Sequence, residues 1–246
     1  MITSNQPYYT KKEKDKIFPT GLELEENWQN IRDEAVGVFD YIQGNVTKNF
    51  IKNTDDFWKG WNTFPLRMFG QDIKVNMDMC PTVSRILDKC RDQVPTAFFS
   101  VMEPYKHLDA HYGPFKGILR YQLGLVIPPP ESGECYISVD GITYTWKNGE
   151  STLFDETYLH FVHNDTPYHR IILYLDIKRP FRTSAMTSIN DFLLWLMKIS
   201  PHNQKVVKSH STQLLNKLAY SQDTEDEYNT DVSDVFSNFH GDNNWF

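Results

Sequence analysis

Two histidines, each followed about one short strand later by an arginine, are the residues of this chain whose types and spacing best suit chemistry: His111 lies nine residues before Arg120, and His160 ten before Arg170. A neutral imidazole ligates divalent transition metals. A guanidinium grips a carboxylate through two parallel hydrogen bonds. Together the pairs suit a metal centre beside an anion clamp, and so a metal-bound dicarboxylic acid, of which 2-oxoglutarate is the obvious one.

The surrounding segments read HYGPFKGILRYQLGLVIP over 111–128 and LFDETYLHFVHNDTPYHRIILYLDIKRP over 153–180. They contain a His-x-Gly-Pro, an Arg nine residues after that His, a Leu-Gly-Leu-Val-Ile-Pro strand, a Phe-Asp-Glu turn and a His ten residues before an Arg. This order and spacing resembles the aspartyl/asparaginyl β-hydroxylase family, with weaker similarity through FFSVMEP at 98–104 and WNTFPLRMFG at 61–70. The resemblance implies an iron(II)- and 2-oxoglutarate-dependent dioxygenase in which His111 and His160 hold the iron. It also implies that Ser100, Arg120 and Arg170 contact the cosubstrate carboxylates and that Trp61 lines the same site. Where the family has Met-His-Leu-Gly, this chain has Tyr121-Gln122-Leu123-Gly124, so Gln122 replaces a histidine that helps hold the cosubstrate. An amide still donates a hydrogen bond.

A second ligand set competes with the first. His107-Leu108-Asp109 is a His-x-Asp, which with His160 would make the two-histidine, one-carboxylate triad of many non-haem iron oxygenases. The resemblance favours His111, and then the place of the acid, two residues on, is Gly113. A missing carboxylate makes room for halide in some iron enzymes, but the resemblance points to hydroxylation of an unactivated carbon. The substrate class it leaves open includes the β-carbon of Asp or Asn in a peptide or protein, a small molecule and a lipid acyl chain, with O2 as co-reactant. The reading from another class is a catalytically inactive jelly-roll binding module. Asp155 and Glu156 stand in a turn before His160, where a carboxylate can orient a ligand imidazole or merely cap the turn. His163 and His169 read as surface residues.

The elements that must position these groups change character along the chain. Apolar residues at Leu22, Leu24, Trp28, Ile31, Ala35, Val38, Phe39 and Ile42 predict an amphipathic helix, and Val83, Ile86, Leu87 and Cys90 predict a second over 82–93, after Pro81. From Thr96 onward, short β-branched and aromatic runs at 97–103, 117–127, 134–139, 142–146, 151–154, 158–163 and 169–177 predict strands. Asp140-Gly141 and Asn148-Gly149 are hairpin signals between them. The fold expected is mainly β with flanking helices, a double-stranded β-helix or cupin-type jelly roll. After Pro180, Ile189, Phe192, Leu193, Leu196 and Met197 mark a helix face, and Leu214, Leu215, Leu218 and Ala219 a shorter helix. The division expected is an N-terminal arm over 1–20, the helix-braced oxygenase domain over 21–180, helices packed on the barrel over 181–220, and an acidic mobile tail over 221–246.

Composition narrows the classes. Hydrophobic residues make up 40% and aromatics 14% of the 246 residues, enough for a substantial core and a poor match for disorder. The last 26 residues hold seven acidic residues and no Lys or Arg, so they account for the whole net charge of −7 and the body is near neutral. No basic stripe with interleaved aromatics marks a nucleic-acid footprint. Cys80, Cys90 and Cys135 lack CxxC spacing and read as reduced thiols, and the polar amino terminus lacks the apolar core of an export signal, so a cytoplasmic location is expected. The longest apolar run, Phe192 to Met197, is far short of the ~20 residues that span a bilayer.

Overall fold

A computed structural model describes residues 5–39 and 60–209. The amino-terminal part is helical: α1 (Lys11–Ile17), α2 (Thr20–Glu26) and α3 (Trp28–Gly37). The supposed arm thus carries a helix of its own, started by a capping box in which Thr10 and Glu13 satisfy each other's backbone donors. The single helix expected from Leu22 is two, broken at Asn27, whose side chain turns back to donate to the Glu23 carbonyl. Ile42 lies outside the described residues.

Strands β1 (Trp61–Met68) and β2 (Gln71–Asp72) come next, then α4 (Lys74–Asp78) and α5 (Pro81–Lys89). Eight further strands follow: β3 (Thr96–Met102), β4 (Lys106–His111), β5 (Ile118–Val126), β6 (Cys135–Val139), β7 (Ile142–Thr145), β8 (Ser151–Phe154), β9 (His160–Asn164) and β10 (Arg170–Lys178). They close the chain into two antiparallel sheets, ordered β2-β1-β3-β10-β5-β8 and β4-β9-β6-β7. Consecutive strands from β3 to β6 alternate between the sheets, and β7 to β10 return between them. That is the winding of a double-stranded β-helix, so the expected fold stands. At the β6–β7 turn both Asp140 and Gly141 have positive φ, as a two-residue I′ hairpin requires.

Strands β5 and β10 of the larger sheet each show two faces of different chemistry. Leu119, Tyr121, Leu123 and Leu125 of β5 and Ile171, Leu173, Leu175 and Ile177 of β10 point outward and are buried with Phe18, Leu24, Ile31, Val83, Ile86 and Leu87 of the helices. The alternate residues Arg120 and Gln122, and Arg170, Ile172, Tyr174 and Asp176, therefore face the other sheet. Met102, Leu108, Ile137, Val139, Trp146, Phe154, Val162 and Ile172 pack between the sheets and give that chamber its apolar walls. On these two strands an apolar outer face leaves the inner face free to be polar.

Three strands escaped the sequence reading, the two-residue β2 and two longer ones with physical reasons of their own. β1 contains Pro65, which argues against a central strand; here β2 pairs only with Arg67 and Met68, and the pairing to β3 slips between Pro65 and Arg67. β4 is mostly polar because only Leu108 is buried in it. The carboxyl-terminal helix α6 (Ser184–Ile199) was expected to lie packed on the barrel, but Ile189, Phe192, Leu193, Leu196 and Met197 are exposed. A short helix follows over 201–209. The expected helix at 214–219 and the acidic tail at 221–246 lie outside the described residues.

Candidate functional site

His111, at the end of β4, and His160, at the start of β9, are directly opposed across the pairing of those strands. Their ring centroids are 4.2 Å apart at an interplanar angle of 51°. Each Nδ1 is held by the carbonyl two residues earlier, Asp109 O at 2.7 Å for His111 and Tyr158 O at 2.9 Å for His160. A carbonyl only accepts, so Nδ1 is the protonated nitrogen and the lone pair of each ring lies on Nε2. Burial, reinforced by the charges of His111 and Arg120 against the pull of its backbone partner, holds the His160 pKa down at about 4. The imidazole is therefore neutral at pH 7, the form that ligates metal.

The competing triad does not assemble. A register shift between Leu108 and His111 turns His111 inward, while His107 and Asp109 are exposed. His107 instead bonds Asp165 through Nε2 at 2.5 Å and stacks on His163 with centroids 4.2 Å apart. The ligand atoms of His107, His163 and Asp165 lie within 4.8 Å of one another on the outside of the smaller sheet. Asp109 reaches the inner pair only through its backbone carbonyl.

Gly113, two residues after His111, stands where the triad acid would be. A Cβ built there would lie 2.2 Å from the carboxyl carbon of Glu156, so only glycine admits that carboxylate beside the His111 loop. The Glu156 Oε1 is buried and finds no hydrogen-bond partner, while Oε2 accepts from Arg120, with the Nε contact at 2.7 Å. Arg120 also bonds Asp176, its register partner on β10, and its guanidinium lies 4.6 Å from the centre of the Tyr174 ring. Burial alone would lower the Arg120 pKa, but Asp176 and Glu156 more than offset it and raise the value. The adjacent Asp155 caps its turn through Thr157 and pairs with Arg179 at 2.5 Å.

Arg170 presents the opposite case. It is 2% exposed, its Nε has no hydrogen-bond partner, and no carboxylate pairs with it among the described residues. Its Nη2 donates to Ser100 Oγ at 3.3 Å and its guanidinium lies 4.7 Å from the Trp146 ring centre. Burial pushes its pKa down to about 10, still cationic at neutral pH. Ser100 Oγ also accepts from Trp61 Nε1 at 2.8 Å, so with both lone pairs engaged the hydroxyl proton is turned toward another acceptor. Gln122 joins this group through its Oε1, which accepts from Trp146 Nε1 at 3.0 Å and leaves the amide hydrogens as donors. A buried cation with an unmet donor, beside a hydroxyl aimed onward, fits a carboxylate.

The structure therefore brings Ser100, Trp61, Gln122 and Arg170 together and opposes His111 to His160. Arg120 is six register positions away from Arg170 along β10, roughly 20 Å of strand. It is committed to two carboxylates rather than open to an anion. Sequence reasoning missed Trp146, Tyr174 and Asp176. A lone acid inside the apolar run Ile171–Ile177 was the available signal for Asp176; nothing in the spacing marked the two aromatic partners.

Residues 25–180 match the model of the family described as Aspartyl/Asparaginyl beta-hydroxylase. An ornithine lipid ester-linked acyl 2-hydroxylase of Rhizobium tropici is 33% identical over 199 residues, covering 78% of this chain and 69% of the relative. The aspartyl/asparaginyl beta-hydroxylase of Homo sapiens is also 33% identical, over 71% of this chain but only 23% of its own length. An aspartate beta-hydroxylase domain-containing protein 2 of Xenopus tropicalis is 32% identical over 49% of this chain and 34% of its own. With the family model matched over more than half of its length, the chain belongs to the aspartyl/asparaginyl β-hydroxylase family, enzymes of the iron(II)/2-oxoglutarate dioxygenase type that hydroxylate unactivated carbon.

Proposed function

We propose that this chain holds iron(II) through His111 and His160 and 2-oxoglutarate through Arg170 and Ser100, and hydroxylates an unactivated carbon of a second substrate. The observation that carries the reading is Arg170: a buried guanidinium with no carboxylate partner among the described residues, in a barrel that also sets two backbone-fixed imidazoles opposite each other. When bound, iron and 2-oxoglutarate supply the oxidising power that converts C–H to C–OH with O2, releasing succinate and CO2.

The protein's own part is to bind, orient and shield. Arg170 and Ser100 bind the distal cosubstrate carboxylate; Trp61 fixes the serine hydroxyl and Trp146 covers the guanidinium. Gln122 offers its amide where the family has histidine. Arg120 holds the Glu156 carboxylate beside Gly113, and a direct bond from Arg120 to 2-oxoglutarate requires its release from Glu156 or Asp176. The space beside Gly113 is thereby filled, which supports hydroxylation over halide transfer. The three buried free thiols support a reducing, cytoplasmic setting.

Two substrate readings have separate support. The family description favours the β-carbon of an Asp or Asn side chain, while the fuller coverage of the Rhizobium relative favours an ester-linked lipid acyl chain. Succinate formation dependent on iron and O2, measured with an Asp-containing peptide and with an ester-linked acyl lipid, tests the activity and separates the two. Succinate formation that persists in the protein lacking both His111 and His160 overturns the assignment.

A further inference from the structure

Helix α6 is apolar yet uncovered among the described residues. At 100° per residue, Trp195, Ile199, Phe192, Leu196, Ile189, Leu193, Met186 and Met197 form a continuous arc of roughly 200°. All eight are exposed, with Ile189 at 60%, Phe192 at 55% and Trp195 at 50%. A helix apolar over so much of its circumference is ordinarily buried. Here the residue that docks deeply is a polar one: Asn190 donates its amide to the Gly117 carbonyl at 2.9 Å and is the buried residue of the helix. The peg faces the barrel, and the apolar arc faces away from it.

Charge identifies what the arc meets. Between residues 178 and 209 there are six Lys or Arg and one Asp in a chain of net −7, and of the six Arg179 is buried against Asp155. The single acid, Asp191, is paired with Lys178 at 2.8 Å. Arg182 before the helix, Lys198 in its last turn, and Lys205 and Lys208 on the short helix that follows are exposed. Phe192 and Trp195 stack with ring centres 5.8 Å apart, and Trp195 stands at the edge of the arc, where an indole suits the boundary between hydrocarbon and headgroups. No helix among the described residues is long and apolar enough to cross a membrane. An apolar arc with exposed basic residues at both ends of its helix, too short to span, is the pattern of a helix lying in the plane of an interface.

We propose that α6 docks this chain in-plane on an anionic phospholipid surface, its apolar arc among the acyl chains and the basic residues at the helix ends against the headgroups. The peg gives this surface a position relative to the site. Gly117 closes the loop that leaves His111, and a Cβ there would lie 2.0 Å from the Asn190 side-chain oxygen, so α6 is seated directly on that loop. Tyr112 and Leu159, the neighbours of the two histidines in the chain, are also exposed apolar residues. Docking on α6 therefore places the rim of the histidine site close to the lipid.

Flotation of the full chain with vesicles of phosphatidylcholine alone, or of phosphatidylcholine mixed with phosphatidylglycerol, tests this without reference to catalysis. The protein is expected to float with the anionic vesicles and at least tenfold less with the neutral ones. Flotation should be lost in Ile189→Glu/Phe192→Glu, and Lys198→Glu/Lys205→Glu should fall to the neutral-vesicle level; all four positions are exposed, and circular dichroism checks that the fold persists. Trp fluorescence should be quenched by lipids brominated in the acyl chain, and that quenching should disappear in Trp195→Phe. Wild-type protein that stays down with anionic vesicles, or an apolar variant that floats as the wild type does, overturns the proposal. So does a wild-type dimer, seen by light scattering, that Ile189→Glu/Phe192→Glu converts to monomer without changing flotation, because α6 then covers a second copy of the chain.

Discussion

Strands β4 and β9 carry two cross-strand histidine pairs, one on each side of the same sheet, and both have ring centroids 4.2 Å apart. The outer pair, His107 and His163, even has a carboxylate, Asp165, within ligand distance. By donor spacing alone it is the better match to a two-histidine, one-carboxylate centre. What separates the pairs is everything around the donors. The inner rings are locked by their own backbone carbonyls, and His160 is buried and neutral in a barrel that also holds a guanidinium with no carboxylate partner among the described residues. The outer rings lie flat on each other at 9° on an open surface, with His107 tied to Asp165. Spacing can nominate ligands; burial and the fixing of the second nitrogen decide which nominees can hold a metal in a useful place.

The comparison breaks most sharply under alanine. His111→Ala or His160→Ala should reduce iron- and 2-oxoglutarate-dependent succinate formation more than about 100-fold, since even outer partners of metal ligands cost 10–100-fold. His163→Ala should stay within about twofold, the range of exposed substitutions. Equal losses at the two pairs would dissolve the distinction.

Next in size is the pair of arginines, which repeats the contrast inside the chamber. Arg120→Met leaves Glu156 and Asp176 buried without their cation, and thermal or denaturant unfolding should show a loss of about 3–5 kcal/mol. Arg170→Met removes a buried charge that no carboxylate balances, so the same measurement should show unchanged or raised stability while cosubstrate binding is lost. A matching loss of stability in both would mean that Arg170 is structural. The milder Arg170→Lys should raise the apparent KM for 2-oxoglutarate about tenfold or more, because a charge-assisted hydrogen bond contributes about 1.5–3 kcal/mol. Iron affinity should be nearly unchanged.

Gly113→Ala sharpens the account of the missing acid. Its Cβ would meet the Glu156 carboxyl carbon at 2.2 Å, so the carboxylate must move, and a loss of about 10–100-fold in turnover with the fold intact is expected. The smallest effect is expected at Asp109→Ala. The contribution of Asp109 is a backbone carbonyl, which alanine keeps, so turnover should remain within about twofold.

Strand β3 and the strands from β5 to β10, except β9 by two residues at its start, were legible as β-branched runs between turn signals, and motif order singled out both histidines and Arg170 as candidates. Two kinds of information were not. Period-two alternation shows which residues share a face but not which of two packed sheets they meet, so the partners of Arg120 and Arg170 had to come from the fold. That His111 turns inward while His107 stays outside depends on a slip in the β4–β9 register, which no residue type announces. α6 shows a third limit: a 3-and-4 apolar pattern marks a buried face only if something covers it.

The central claim is that the inner pair with Arg170, and not the outer cluster, forms the iron and cosubstrate site. Anaerobic titration of the protein with iron(II) and 2-oxoglutarate, following the visible charge-transfer band of the chelate, tests it directly. The band should form in the wild type and in His107→Ala/Asp165→Ala, fail in His111→Ala and His160→Ala, and require higher 2-oxoglutarate in Arg170→Lys. A band that survives loss of the inner histidines and disappears with His107 and Asp165 would contradict the account.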